Sequence, residues 1–314
     1  MTILAINGIG RIGKNVLKFL LEANMNVKLI NDSIGNTDIH RHLLEFDSVH
    51  GRWKADFTNN KESISINNKR LTFTNFKKIE DLHLDNIDIV LDCTGAYKSY
   101  KKLEPYFDKG VKKVIVSAPV TDSRIANLVY GINHHIYDKL FHKIVTAASC
   151  TTNCLAPIIK VVHENIGIVH GSITTIHNVT NTQTIVDRPG KDFRRSRSSL
   201  NSLIPTTTGS ANAISLIYPE LKGRLNGHAV RVPLLNASLT DCVFELKKDT
   251  TESKVNKLFQ EASETYLNEI LGYETAQLVS ADYLNDERSA IIDANSTMVV
   301  SYTHLRAHET SLHL

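Results

Sequence analysis

Only four cysteines occur in the 314 residues, Cys93, Cys150, Cys154 and Cys242, and a disulfide scaffold at this length would need more. That scarcity suits a reducing compartment, leaves the thiols for chemistry or packing, and makes the cytoplasm the expected location. Apolar runs long enough to span a membrane are also missing. The opening MTILAINGIGRIG lacks a basic n-region and turns glycine-rich at once, so it reads as a first strand and not as a signal peptide. Charge is nearly balanced, at +3 with a pI near 8.5. The one dense basic cluster is RRSR at Arg194 to Arg197, so neither nucleic acid nor a membrane is expected as a partner. Such a cluster suits a small phosphate equally well. No repeat or low-complexity tract interrupts the chain. What remains is ordinary globular composition, 42% hydrophobic and 22% charged, in a chain long enough for two domains.

In the first half, short apolar runs alternate with helix-length segments: TILAI then Arg11 to Ala23, VKLIN then Thr37 to Phe46, later IDIVLDC and KVIVSAP. This alternation predicts right-handed βαβ units on a parallel sheet, an α/β Rossmann-type domain. SISI and RLTFT around NNK predict a hairpin inserted in that plan. After Cys150 the pattern changes. One helix, Thr151 to Asn165, leads into GSITTIHNVT, HAVRVPLLNASLTDCVFELKK and SAIIDANSTMVVSYT, which predict an α+β domain with a mostly antiparallel sheet. The boundaries follow: 1–148 for the first domain, 149–300 for the second, and 301–314 as a tail.

AINGIGRIG sets Gly8, Gly10 and Gly13 in the GxGxxG spacing, after a strand and at the opening of a helix. Backbone amides and a helix N-terminus can there meet a pyrophosphate. By itself the pattern is weak. LINDS strengthens it, because its strand ends at Asp32, where such folds carry the carboxylate that accepts the ribose hydroxyls. A carboxylate repels a 2′-phosphate, so the expected cofactor is NAD; small, polar Ser33 leaves dual NAD/NADP use open. ASCTTNC places Cys150 at a helix N-terminus, where thiolate character is favoured. His177 in TTIHNVT is the imidazole that would pair with it, although a strand histidine among hydroxyl residues is ordinarily structural. Spacing leaves nucleophile, packing residue and metal ligand open for Cys150, but CTTNC has no further Cys or His at zinc spacing, so no metal is expected. Cys154 is expected to pack inside the same helix.

INGIGRIG, IND, SAP, ASCTTNCLAPI, TTIH, PTTTGSA and PELKGRLNGHAVRVP together resemble phosphorylating glyceraldehyde-3-phosphate dehydrogenase, from the first residues to about Val300. The resemblance implies that thiolate Cys150 adds to an aldehyde, with His177 as base and Cys150's own amide at the oxyanion. Hydride passes to the nicotinamide, and inorganic phosphate then attacks the thioester to release an acyl phosphate. It also implies cofactor contacts from Gly8, Gly10, Arg11, Ile12, Gly13, Asp32, Ser117 and Asn181. Thr180 and Arg231 match the substrate-phosphate site, Ser149, Thr151, Thr208 and Gly209 the attacking-phosphate site, with Arg194 close to both. Residues Asn178 to Ser202 resemble a loop that packs against a neighbouring subunit in a homotetramer. Erythrose 4-phosphate is the sister substrate that the motifs do not separate from glyceraldehyde 3-phosphate.

Two departures qualify this reading. Val179 and Thr182 stand where the family has a tyrosine and an aspartate, and HNVTNTQT instead resembles a branch encoded beside arsenic-efflux transporters, in which arsenate replaces phosphate. After STMVV the family continues into a last strand, an NEWGY-like turn and a long helix, whereas this chain reads SYTHLRAHETSLHL. That ending is expected to be foreign or truncated. His304 and His308 fall at helical spacing within it, with no third metal ligand in view. A protein missing the closing helix could be an inactive or unstable fragment serving at most as a binding module; the intact catalytic residues favour the enzyme.

Overall fold

The computed structural model describes residues 1–299 and 303–309. They gather in two compact units, one made of residues 1–128 with 134–148, the other of residues 129–133 with those from 149 onward.

The first unit is built on a nine-stranded sheet. Its strands are β1 (Ile3–Asn7), β2 (Asn26–Asn31), β3 (Phe57–Asn60), β4 (Ser63–Ile66), β5 (Lys69–Thr74), β6 (Ile89–Asp92), β7 (Lys113–Val116), β8 (Ala126–Asn127) and β9 (Ile144–Thr146). They lie in the order β8-β9-β7-β6-β1-β2-β5-β4-β3. From β8 to β5 every pairing is parallel, and the hairpin expected from SISI and RLTFT adds β4 and β3 antiparallel at the edge. Alternation along β1 shows why the apolar run TILAI makes a central strand. Ala5 joins one buried cluster with Val90, Val114 and Ile144, while Leu4 and Ile6 join another with Val16, Leu17 and Ile30, so both faces are covered. Helices α1 (Arg11–Glu22) and α2 (Thr37–Glu45) follow β1 and β2. The Asn36 side chain caps α2 by accepting from the Ile39 amide at 3.1 Å.

The second unit carries α3 (Cys150–Asn165), α4 (Ser210–Ile217) and α5 (Glu252–Glu264) with strands β10 (Ile168–Asn178), β11 (Ile204–Thr207), β12 (Leu225–Val232), β13 (Ser238–Leu246), β14 (Leu271–Glu274), β15 (Ala290–Asp293), β16 (Met298–Val299) and β17 (Thr303–Glu309). Their order is β11-β12-β10-β13-β17-β15-β14, with β16 on β17. Pairing is antiparallel except for β10 with β12 and β14 with β15. Almost every side chain of α3 from Thr151 to Ile159 is buried, and the helix packs on β10, β13, β15 and β17. A helix apolar on all sides is the kind a core encloses. Cys154 is fully buried in it.

The tail departs from expectation. In place of a missing last strand, Thr303–Glu309 forms one, inserted between β13 and β15 with Ser238 opposite Glu309 and Cys242 opposite Leu305. His304 and His308 therefore sit on a strand and not on a helix turn, and His308 stacks on Tyr283 with ring centroids 4.5 Å apart. The sequence ending misled because its motif did not match, while its alternation, with Leu305, Ala307 and Glu309 buried on one face, still meets the demand of an open sheet position. Residue 300, at the end of the expected second domain, and residues 301–302 and 310–314 of the expected tail lie outside the described residues. Among the described residues no helix is long and apolar enough to cross a membrane.

Candidate active site

In the first unit, β1 ends at Asn7 and the chain turns through the glycine loop into α1. Gly8 has φ +92° and donates its amide to the Asn31 carbonyl at 2.7 Å; a Cβ there would lie 2.8 Å from the Thr94 nitrogen. A Cβ on Gly13 would stand 1.9 Å from the Gly8 carbonyl oxygen, so this glycine lets helix and loop close on each other. Gly10 differs, because no described atom lies within 4 Å of where its Cβ would be. Backbone at the N-terminus of α1 is thus left open to an approaching anion, which fits a dinucleotide pyrophosphate. Asp32 follows β2, and its carboxylate accepts from the amides of Ile9 at 2.9 Å and Ile34 at 3.0 Å, which fixes it beside the glycine loop. Arg11 and Lys14 both pair with Asp47, whose carboxyl is held well below its ordinary range by those cations and the amides of His50 and Val49, against its own burial. Ile12 packs against the buried cluster behind the loop. Ser117 closes β7, its amide on the Asp92 carbonyl at 2.9 Å.

Ala148, the last residue of 134–148 in the first unit, adopts φ +57° just before the nucleophile candidate, a conformation unusual for a residue with a Cβ. Ser149 then caps α3, accepting from the Thr152 amide at 3.2 Å. This sets Cys150 on the first turn, with Sγ 3.5 Å from His177 Nε2 and 3.9 Å from Thr151 Oγ1. Histidine reaches the sulfur because α3 packs against β10, and β10 and β12 run parallel in register, which sets Arg231 beside His177. His177 Nδ1 lies 2.8 Å from the Asn178 carbonyl, to which it can donate, and this turns the lone pair of Nε2 toward the thiol. Arg231 Nη1 donates to the same carbonyl at 3.0 Å, so with Nδ1 protonated the carbonyl is the acceptor the two share; the 2.8 Å between Nη1 and Nδ1 is a hydrogen bond only in the other tautomer, which carries its proton on Nε2. Burial, aided by the Arg231 charge, pushes His177 down to about 4, so the imidazole is neutral at physiological pH. Cys150 exposes surface to solvent, yet its thiol is pushed up, first by the protein packed around the sulfur and then by the charge of Glu309. The two effects oppose the helix N-terminus and keep the pair as thiol and imidazole.

Glu309 was not foreseen from sequence. It is 2% exposed at the end of β17, with Oε1 3.9 Å from His177 Nε2 and Oε2 without a hydrogen-bond partner among the described residues. Burial raises its carboxyl to about 7 despite Cys150, Thr151 and Arg231 nearby. Alternation in LRAHE, which puts Glu309 on the same face as Leu305 and Ala307, was the only signal that could have revealed it.

Of the residues expected at the phosphate sites, Ser149, Thr151 and Arg231 stand with Cys150 and His177. Thr180 is exposed past the end of β10, its hydroxyl 2.9 Å from that of Thr182. Arg195 donates to the Thr182 hydroxyl at 2.7 Å, and its charge is felt by both His177 and Arg231. Arg194, the arginine expected here, turns instead toward the Pro205 carbonyl at 3.5 Å. RRSR held the signal but could not say which member points inward. Thr208 bonds Ser210, and Gly209 caps α4 in open space. Asn181, expected among the cofactor contacts, lies exposed in the second unit, whereas the glycine loop belongs to the first.

Comparison with known proteins follows this division. Residues 2–100 match the family described as "Glyceraldehyde 3-phosphate dehydrogenase, NAD binding domain", and residues 149–309 match "Glyceraldehyde 3-phosphate dehydrogenase, C-terminal domain". The second match runs past Val300 and includes β17. "Glyceraldehyde-3-phosphate dehydrogenase 3" of Nostoc sp. is 52% identical over 305 residues, covering 96% of this chain and 90% of that protein. "Glyceraldehyde-3-phosphate dehydrogenase" of Pseudomonas aeruginosa is 44% identical over 306 residues, 95% of this chain and 90% of its own. The protein of that same description from Geobacillus stearothermophilus is 44% identical over 298 residues, 94% and 88%.

Proposed function

Because the chain belongs to the glyceraldehyde 3-phosphate dehydrogenase family, its activity is that of an NAD-dependent, phosphorylating glyceraldehyde-3-phosphate dehydrogenase, and we propose that Cys150 and His177 carry the chemistry. Residues 1–148 would hold the cofactor, through the open backbone at Gly10 and the carboxylate of Asp32, and residues from 149 onward the substrate. NAD, when bound, accepts the hydride. His177 Nε2 takes the thiol proton of Cys150, the sulfur adds to the aldehyde carbon, and the Cys150 amide at the start of α3 donates to the developing oxyanion. Loss of hydride leaves an acyl thioester, which inorganic phosphate attacks to release the acyl phosphate, the departing sulfur recovering its proton from His177. Arg231 carries a buried Nε without a partner among the described residues, a donor suited to a substrate phosphate oxygen, and Arg195 adds charge beside it. The reading rests on the 3.5 Å approach of Sγ to Nε2 at a helix N-terminus. Purified protein should reduce NAD with glyceraldehyde 3-phosphate and phosphate, and Cys150→Ser should lower kcat at least about 10³-fold. Full activity in that variant would overturn the assignment. Running erythrose 4-phosphate beside it fixes the substrate by the ratio of kcat/KM.

We extend the reading to arsenate as an attacking oxyanion. Support comes from Thr182, which stands where the family has an aspartate and presents a hydroxyl to Thr180 and Arg195, so one fixed negative charge is absent beside the anion-binding groups. Thr182→Asp should then lower kcat/KM in arsenate and in phosphate to different extents; an unchanged ratio removes this extension. We also propose a homotetramer, because residues 178–202 expose Ile185, Val186, Phe193 and Leu200, with Phe193 91% exposed. A monomer in analytical ultracentrifugation at micromolar concentration would refute it.

A further inference from the structure

We propose that Cys150, His177 and Glu309 form a transition-metal site, a thiolate–imidazole–carboxylate centre that takes Zn2+ and, when loaded, withdraws the nucleophile. The proposal stands on the placement of three side chains and is independent of the substrate they serve. One ligand atom from each residue lies within 4.8 Å of the other two. Sγ and His177 Nε2 are 3.5 Å apart, and Nε2 and Glu309 Oε1 3.9 Å. A tetrahedral zinc with Zn–S about 2.3 Å and Zn–N or Zn–O about 2.0–2.1 Å sets its ligand atoms about 3.3–3.6 Å apart. The first distance already fits, the second needs a shift of about half an ångström, and the third edge, Sγ to the carboxylate within 4.8 Å, must close by at most about 1.3 Å.

Three further observations point to a cation there. Glu309 is buried and its Oε2 has no partner among the described residues, a state that costs free energy unless something positive meets the carboxylate. His177 Nδ1 is engaged by the Asn178 carbonyl at 2.8 Å, the outer contact that metal-bound imidazoles use to direct the other nitrogen at the ion. Cys150 is exposed to solvent, so water can complete the fourth position. Thiolate and carboxylate together neutralise a divalent ion. Arg231 Nη1 lies 2.8 Å from Nδ1 and not at Nε2, and although its charge is felt by Cys150 and Glu309 it leaves Glu309 Oε2 without a hydrogen bond among the described residues. Mixed S, N and O donors select Zn2+ or Co2+ over Mg2+ and Ca2+. On binding, the S–H bond breaks, a Zn–S bond forms, and the proton leaves to solvent. No electron moves, so the block is reversed by a chelator.

The test uses the full chain freed of metal by chelation and titrated with Co2+ as a spectroscopic probe, then with Zn2+ in competition with a chromophoric chelator. Wild type should show a thiolate-to-cobalt charge-transfer band that Cys150→Ser lacks. Glu309→Gln should weaken Zn2+ binding by about tenfold or more, at least what an outer partner of a metal ligand is worth. A cobalt band that survives in Cys150→Ser, or Zn2+ held as tightly by Glu309→Gln as by wild type, overturns the site. If Glu309→Gln does not fold, wild type decides alone: saturating Zn2+ must stop iodoacetamide labelling of Cys150, and unabated labelling refutes the proposal. Failure of these measurements leaves the dehydrogenase activity intact in chelator, so the two readings fail separately.

Discussion

Replacing Glu309 by Gln in metal-free protein should make stability less dependent on pH, and the size of the effect follows from its surroundings. The carboxyl rises from an ordinary 4.5 to about 7 because it is buried between β13 and β15, beside Cys150 and His177. At about 1.4 kcal/mol for each tenfold change in proton affinity, that rise amounts to about 3 kcal/mol. The folded state holds the proton more tightly than the unfolded chain. The contribution is therefore complete below pH 4.5, declines as pH climbs, and is gone once the folded carboxyl has ionised above about 7. Gln keeps the shape and cannot ionise. Thermal melts of wild type and variant in a chelating buffer should show the variant gaining about 6–12 °C relative to wild type between pH 4.5 and pH 8, at about 2–4 °C per kcal/mol for a unit of this size. Taking the difference between the two pH values cancels any constant cost of the amide. The same change removes the negative charge that helps push the Cys150 thiol up, so iodoacetamide should label Cys150 faster in the variant at pH 7.5. A melting difference that is the same at both pH values would show that no buried, ionising carboxyl occupies this position.

Asp32→Ala should weaken NAD and narrow the gap to NADP, measured as the ratio of dissociation constants; a wild type that already prefers NADP contradicts the role given to Asp32. Arg195→Ala should raise KM for glyceraldehyde 3-phosphate about tenfold or more while Arg194→Ala changes it little, and the reverse order would restore the arginine first read from RRSR. Gly13→Ala should cost several kcal/mol in denaturant unfolding, because its Cβ would meet the Gly8 carbonyl at 1.9 Å. An Ala148→Gly variant should be more stable or unchanged at φ +57°, and a loss above about 1 kcal/mol would mean that the methyl's packing outweighs the strain.

The parallel sheet was legible because both of its faces are buried, which leaves runs such as TILAI and VKLIN mostly apolar, and because helix and strand periods alternate, the inserted hairpin apart, up to IDIVLDC. In the second unit the strands could be counted roughly but not joined. HAVRVPLLNASLTDCVFELKK is one apolar stretch in sequence and two strands in space, with Ala237 at φ +57° between them. Nothing in the residues alone says that β10 pairs parallel with β12, and that pairing is what brings Arg231 to His177.

The site divides along the same line. Local chemistry was readable: a capped helix N-terminus at Ser149 and Cys150 follows from ASCTTNC, and the tight turn at Gly8 from GxGxxG. Groups that arrive from distant strands were not. Arg195 enters through the fold of a loop whose three clustered arginines look alike in sequence, and Glu309 through the register of β17 against β13. The ending SYTHLRAHETSLHL matched no motif, which invited its dismissal as foreign. Yet a strand needs only alternation to enter a sheet, and Leu305 and Ala307 supply it. Continuing the same alternation by two residues carries a carboxylate inward past the last apolar position. Motif comparison registers only whether an ending is familiar, whereas the period-two pattern fixes which face each residue occupies. Here that pattern alone places an ionisable group against the Cys150 thiol, which its charge helps push up.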